Sequence, residues 1–423
     1  MDLLKSLRGI EPLKQLFWSE LNYERVSQPL SRRGWADTTA KPLADDPLLL
    51  AGGGEQNEFH VIYSRLASDR LLLSNERPVV SRLLKDHPYA LFIFSNETQN
   101  QWHFLNVKYD GKADKRRLFR RITVGPEERL RTASERIAML DLQALGPELF
   151  GLSPLTIQQR HDEAFDVEAV TKKFFEDFSI TFTEVAKDIR QRNGWMDAEA
   201  IERETQTLLN RLVFLYFIQR KGWLNRRREY LYAAFKQHYS ADPNSTEFYS
   251  QFLYRLFIRL STEGDYFETL GDVPFLNGGL FNDEYGGQQR QEVQLRRARI
   301  KIGNKVFERV FDDLLEAYNF TVREDTPLNQ EVAIDPEMLG KIFESLVLQL
   351  EQSDTGGKTS RHDTGSYYTP RPIVHYLCRE GSCVAKRLEC AELAPAFARR
   401  WVGRKGVVRA PPSLRAGINC VGW

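Results

Sequence analysis

The stretch AIERETQTLLNRLVFLYFIQRKGWL, Ala200 to Leu224, constrains the fold of this chain more than any other. It opens with apolar residues on one helical face and becomes apolar on nearly every face, the pattern of a helix surrounded by other elements. Its longest unbroken apolar run, Leu212 to Ile218, is far short of the ~20 residues that cross a bilayer. Such a helix has to sit inside a bundle, and Gly222 supplies its stop. The N-terminus, MDLLKSLRGIEPL, mixes charges through its apolar positions rather than building a signal-peptide core. A cytoplasmic location with no membrane partner is therefore expected.

On either side of that helix the pattern differs. From Asp166, Phe174, Phe175, Phe178, Phe182 and Val185 recur mostly at three- and four-residue intervals and make an aromatic stripe. Further helices are expected at Arg228 to His238, Glu247 to Leu260, Lys305 to Tyr318 and Asp335 to Leu350, the last with Asp335 as cap and Pro336 at its first position. Before residue 150 the runs are shorter and β-branched or aromatic. FHVIYSRL from Phe59 reads as a strand and RPVVSRLLKDH from Arg77 as a helix. ALFIFS and WHFLNVKY, joined by NETQNQ, read as a hairpin, and RLFRRITV as a further strand. Gly52, Gly53 and Gly54 read as a loop. The expected architecture is an α/β domain at 1–150 followed by a mainly α-helical connector at 151–363.

A change of composition near residue 378 divides the chain again. Cys378, Cys383, Cys390 and Cys420 all lie in the last 46 residues, with none before. From Arg379 onward there are nine Lys or Arg against three acids, a net +6 in a chain of net +1. This tail has no sustained period of 3.6 or 2, so 379–423 is expected to be irregular or disordered, as a shifted or truncated reading frame would produce. No C-x-x-C occurs, which argues against a zinc site.

Three segments carry a family resemblance: RLVFLYFIQRKGWL (211–224), DPEMLGKIFESLV (335–347) and GSYYTP (365–370). Together they resemble the region that leads into the methyltransferase domain of type IIG restriction–modification enzymes and type I modification subunits. The resemblance implies that 364–378 is the start of a Rossmann-like methyltransferase domain. It also implies that Gly365, Tyr367, Tyr368, Thr369 and Pro370 address the methionine part of S-adenosylmethionine. The residues suit that role: Pro370 favours a helix start with Thr369 as cap, and a tyrosine face suits a sulfonium. The family reaction is methyl transfer to the exocyclic amine of adenine in double-stranded DNA, marking host DNA in defence against phage. The family's Gly-rich Asp-Pro-Ala-Cys-Gly-Ser-Gly and Asn-Pro-Pro-Tyr segments occur nowhere in the sequence. No catalytic residue is therefore assigned, and the chain is expected to be inactive without the remaining methyltransferase portion or a separate catalytic chain.

Two other readings stay open. In one, the chain is a non-catalytic DNA-binding or assembly subunit. In the other, the N-terminal domain is a Mg²⁺-dependent nuclease, a class that needs a carboxylate and then a strand with an acid two residues before a lysine. Asp86, Glu97 and Lys108 are the candidates, but Asn106 occupies the acid's place, so a degenerate or structural domain is expected. TGGKT at 355–359 lacks the first glycine of a phosphate loop, with Gln352 in its place. Basic clusters at 112–121, 226–228 and 290–301 are the segments suited to meeting phosphates.

Overall fold

Among the described residues, seven strands lie in one sheet in chain order: β1 (Glu24–Pro29), β2 (Leu48–Gly53), β3 (Phe59–Arg65), β4 (Ala90–Ser95), β5 (Trp102–Tyr109), β6 (Arg117–Val124) and β7 (Asn329–Glu331). The computed structural model describes residues 2–109, 117–146, 152–262, 268–276, 280–281, 294–321 and 329–334. These all belong to the unit Met1–Asp335. The expected helix at 335–350, the cofactor segment at 365–370 and the tail from 379 lie outside the described residues.

The first three strands form an antiparallel meander. Eleven residues of helix then carry the chain back across the sheet, so that β4 runs parallel to β3, in register from His60↔Ala90 to Arg65↔Ser95. β5 and β6 continue antiparallel, and β7 closes the edge parallel to β6. The result is a mixed sheet followed by helices, in agreement with the α/β start expected from the sequence. β4 is buried at all six positions, which explains its unbroken apolar run: both faces of this strand are covered.

The first two strands depart from the expected reading. β1, ERVSQP, is exposed at five of six positions and ends on Pro29, as suits an edge strand. Gly52 and Gly53, expected in a loop, are the last two residues of β2. A Cβ on Gly52 would lie 2.8 Å from the Asn57 side chain, and one on Gly53 would press on Ile157 and Tyr23. These glycines permit close approach within a strand, and the turn belongs to Gly54 at φ +95°.

Two layers cover the sheet. The helices here are α1 (Asp2–Lys5), α2 (Ile10–Gln15), α3 (Asp37–Ala40), α4 (Leu73–Leu83), α5 (Leu130–Ala138) and α6 (Pro154–Ala164). On one face Val79, Val80 and Leu83 of α4 pack on Ile62, Phe92, Leu105 and Val107. On the other, Phe17 stacks on Phe104 with ring centroids 6.5 Å apart, and α6 sets His161 against Phe59 at 4.5 Å.

The helical part follows: α7 (Val167–Arg192), α8 (Ala198–Arg220), α9 (Tyr230–His238), α10 (Tyr254–Ser261) and α11 (Asn304–Arg309). Asp166 and Asp197 cap α7 and α8, accepting from the backbone N–H of Glu168 at 3.3 Å and of Ala200 at 2.7 Å. α8 is the helix that the sequence requires to be surrounded: every residue from Arg211 to Gln219 except Phe214 is buried, and Gly222 stops it at φ +75°. Two of the expected helices are partly wide-turned: α10 is preceded by a π-helical run at Phe248–Leu253, and α11 continues into another at Val310–Leu315. Phe248, the first residue of the earlier run, has its ring 4.9 Å from Phe307, 5.0 Å from Phe235 and 5.8 Å from Phe311. Among the described residues no helix is long and apolar enough to cross a membrane.

Sheet and helices are fastened by charge. Arg129, just before α5, pairs with Glu229 at 2.8 Å and with Glu316, which also accepts from the Tyr216 hydroxyl at 2.7 Å. Burial works against the Arg129 charge, but Glu316 and Glu229 outweigh it and hold its pKa above the ordinary value. At the sheet edge Glu331 of β7 accepts from Arg121 at 2.9 Å, Thr123 at 2.8 Å and Thr321 at 3.0 Å.

Candidate functional site

β5 presents alternate residues to the two layers, and its last described positions carry the residues expected to decide between a nuclease and a structural domain. Asn106 is fully buried on the α6 side. Its amide nitrogen donates to Asp162 Oδ1 at 2.7 Å, and its oxygen accepts from Gln158 Nε2 at 2.8 Å. Gln158 and Asp162 are one turn apart on α6, so the two groups facing β5 are an acceptor and a donor. An asparagine meets both. An aspartate there would set a second carboxylate against Asp162 and lose the donor.

Next to it on β6, Arg120 pairs in register with Asn106 and reaches the Asp162 carbonyl at 3.5 Å and Asp166 at 3.4 Å. The cluster Asn106, Arg120, Gln158 and Asp162 therefore joins the sheet to the two turns that lead into α7. It is a polar seam between layers, with little access for a substrate.

The three nuclease candidates are not assembled into one site. Glu97 is exposed just beyond β4, where Ser95 pairs with Trp102. Lys108 is six residues further along β5, about 20 Å away at the rise of a strand. Asp86 is at the same end of the sheet as Lys108, exposed, and accepts from Arg82 Nη1 at 2.6 Å. Among the described residues no three His, Cys, Asp or Glu are placed to hold a metal ion. The cofactor residues Gly365, Tyr367, Tyr368, Thr369 and Pro370 lie outside the described residues.

Three further polar groups were passed over by sequence reasoning. Glu76 of α4 lies against His103 of β5 with Oε1 2.7 Å from Nδ1, and Oε2 has no partner. Both are almost fully buried, so this pair is closed to any ligand from solvent. His161 Nε2 lies 2.8 Å from the Tyr23 hydroxyl, and burial pushes the imidazole down to about 3. His60 and His87 approach through their Nδ1 atoms at 3.2 Å at the Asp86 end of the sheet. Burial lowers both, so the two rings share a hydrogen bond as neutral groups. A signal for α6 was present in the sequence: Ser153-Pro154, a cap followed by a proline at the first helical position.

Comparison with protein-family models, with curated proteins and with solved structures finds no match to this chain. A cleft of about 400 Å³ lies between α1, the Trp102 end of β5 and the start of α5. Its Arg129 and Glu316 are already paired with each other, which makes this wall a structural joint.

Proposed function

We propose that this chain is the front portion of a DNA adenine methyltransferase of the type IIG restriction–modification kind. The reading rests on the co-occurrence, in order, of RLVFLYFIQRKGWL, DPEMLGKIFESLV and GSYYTP. In this reading, the helical part connects a structural α/β domain to a Rossmann-like methyltransferase domain that begins near residue 364. The Tyr367 to Pro370 segment addresses the methionine end of S-adenosylmethionine, and double-stranded DNA is the partner. The family segments that contact the ribose and adenine and receive the adenine amine do not occur in this sequence, so in this reading a remaining methyltransferase portion or a separate catalytic chain supplies them. Supporting the structural role of the first domain is the seam at Asn106: both polar ends of its amide are used to hold α6, where a nuclease would need a free carboxylate.

Calorimetric titration with S-adenosylmethionine tests the reading. The chain alone should bind at millimolar strength or not at all, because losing several hydrogen bonds of ~0.5–1.5 kcal/mol each weakens a micromolar site by orders of magnitude. Micromolar binding appearing when downstream sequence is appended, and lost again in Tyr368→Ala, is the expected result. No binding by any extended chain would sink the proposal. For the first domain, Mg²⁺-dependent cleavage of DNA that Lys108→Ala abolishes would reverse the structural reading.

A further inference from the structure

The segment 294–305, QLRRARIKIGNK, holds Arg296, Arg297, Arg299, Lys301 and Lys305 and no acid. It is fixed against the end of α7. The buried Asn193 side chain donates to the Lys301 carbonyl and accepts from the Lys301 N–H, both at 2.8 Å. One turn earlier, Asp188 Oδ2 accepts from the Gly303 N–H at 2.8 Å. A Cβ on Gly303 would lie 2.7 Å from the Arg192 guanidinium, which would have to swing aside. Near the end of α7, Lys187 and Arg190 are exposed.

The middle of this surface is ordered by an aromatic ring. Trp195, 43% exposed, holds the guanidinium of Arg296 at 5.6 Å and that of Arg299 at 5.5 Å from its centroid. Cation–π contact restrains the two side chains without neutralising them. Two cations of the patch have carboxylate partners, Arg297 with Glu204 at 3.1 Å and Arg192 with Asp188 at 2.9 Å. Among the described residues, Arg296, Arg299, Lys301, Lys305, Lys187 and Arg190 make no ion pair. Elsewhere the arginines that join elements are paired, as Arg121, Arg129, Arg220 and Arg228 are.

We propose that this surface, centred on Arg296 and Arg299 over Trp195, binds the phosphate backbone of double-stranded DNA. Guanidinium forks held in place but left unpaired suit phosphate oxygens, and the flanking lysines extend the positive track along a regular polyanion. The polyanion site stands on its own residues, whereas the choice of duplex DNA rests on the methyltransferase reading.

Fluorescence anisotropy with the full chain, a labelled 20-base-pair duplex and a single-stranded RNA of equal length tests the assignment over a range of salt. The duplex should bind, with log affinity falling linearly against log salt. The double variant R296Q/R299Q should bind at least tenfold more weakly, with a slope shallower by about 1.8, at ~0.9 per phosphate contact. Trp195→Ala should weaken binding less, and Trp195→Phe should restore most of it. These positions are exposed, so unchanged melting temperatures separate lost contacts from lost folding. Equal affinity and slope for R296Q/R299Q and the parent overturn the site, as does absence of duplex binding. Tenfold tighter binding of RNA overturns the choice of DNA. Failure of the methyltransferase reading would appear in the cofactor titration and would leave the R296Q/R299Q difference in place.

Discussion

Between β5 and α6 the chain buries polar groups, while around Phe248 in the helical part it buries rings. At the first place the contacts are directional: the two ends of the Asn106 amide meet Asp162 and Gln158, and His161 Nε2 meets the Tyr23 hydroxyl. At the second, Phe235, Phe252, Phe307 and Phe311 surround Phe248 at centroid distances of 4.9 to 5.8 Å, with tilts from stacked to edge-on. Directional bonds fix which helix lies over which strand, since any other register leaves a buried donor or acceptor unmet. Ring packing gives more stabilisation with less directional demand, because its strength comes from area removed from water. This molecule therefore sets the register of its sheet-covering helix and the cohesion of its bundle by separate means.

The contrast can be broken most directly at the aromatic centre. Phe248→Ala should cost about 3–5 kcal/mol in chemical denaturation, the range for deleting a fully buried ring; a loss under 1 kcal/mol would show that the bundle does not depend on it. At the polar layer the largest effect should come from acid. His161 is neutral in the folded chain, its pKa lowered to about 3, whereas unfolding returns it to the ordinary 6.5. Its contribution is therefore complete above pH 6.5 and is lost as pH falls toward 3, amounting to about 3 kcal/mol at pH 4.5. His161→Gln, which can still bond the Tyr23 hydroxyl, should flatten the stability profile over that window, and an unchanged slope would contradict the assignment. Asn106→Ala should cost about 2 kcal/mol by leaving Asp162 and Gln158 only their own 3.3 Å contact, yet hardly alter the bundle's own hydrogen-exchange protection. Smallest of all, Asp45→Ala removes the exposed partner of Arg65, 2.7 Å away, and should change stability by less than ~1 kcal/mol.

What the sequence made legible follows the same division. β3 to β6 and α8 could be read because their burial is carried by runs of apolar residues, a local property. β1 could not, since an exposed edge strand of ERVSQP has no apolar alternation to show. β2 was obscured by Gly52 and Gly53, whose role depends on Asn57, Ile157 and Tyr23 approaching from other segments. The importance of Asn106 was visible only as a missing acid. That its amide is needed depends on Gln158 and Asp162, some fifty residues away, which no local pattern connects to it. Trp195 and the basic run at 296–305 were visible separately, but their union is made by Asn193 clamping Lys301 across 108 positions.

β7 has a consequence in time. The sheet's last strand pairs with β6 only through residues 329–331, roughly 200 positions after β6 ends. At ~5–20 residues per second a ribosome takes about 10–40 s to supply it. Throughout that interval a nascent chain carries β6 as an open edge, with Arg121 still lacking the carboxylate of Glu331. An open edge can pair with another chain, so this is the period in which the protein is most exposed to aggregation on the ribosome. The bundle made from 167–315 must be synthesised before the sheet can close.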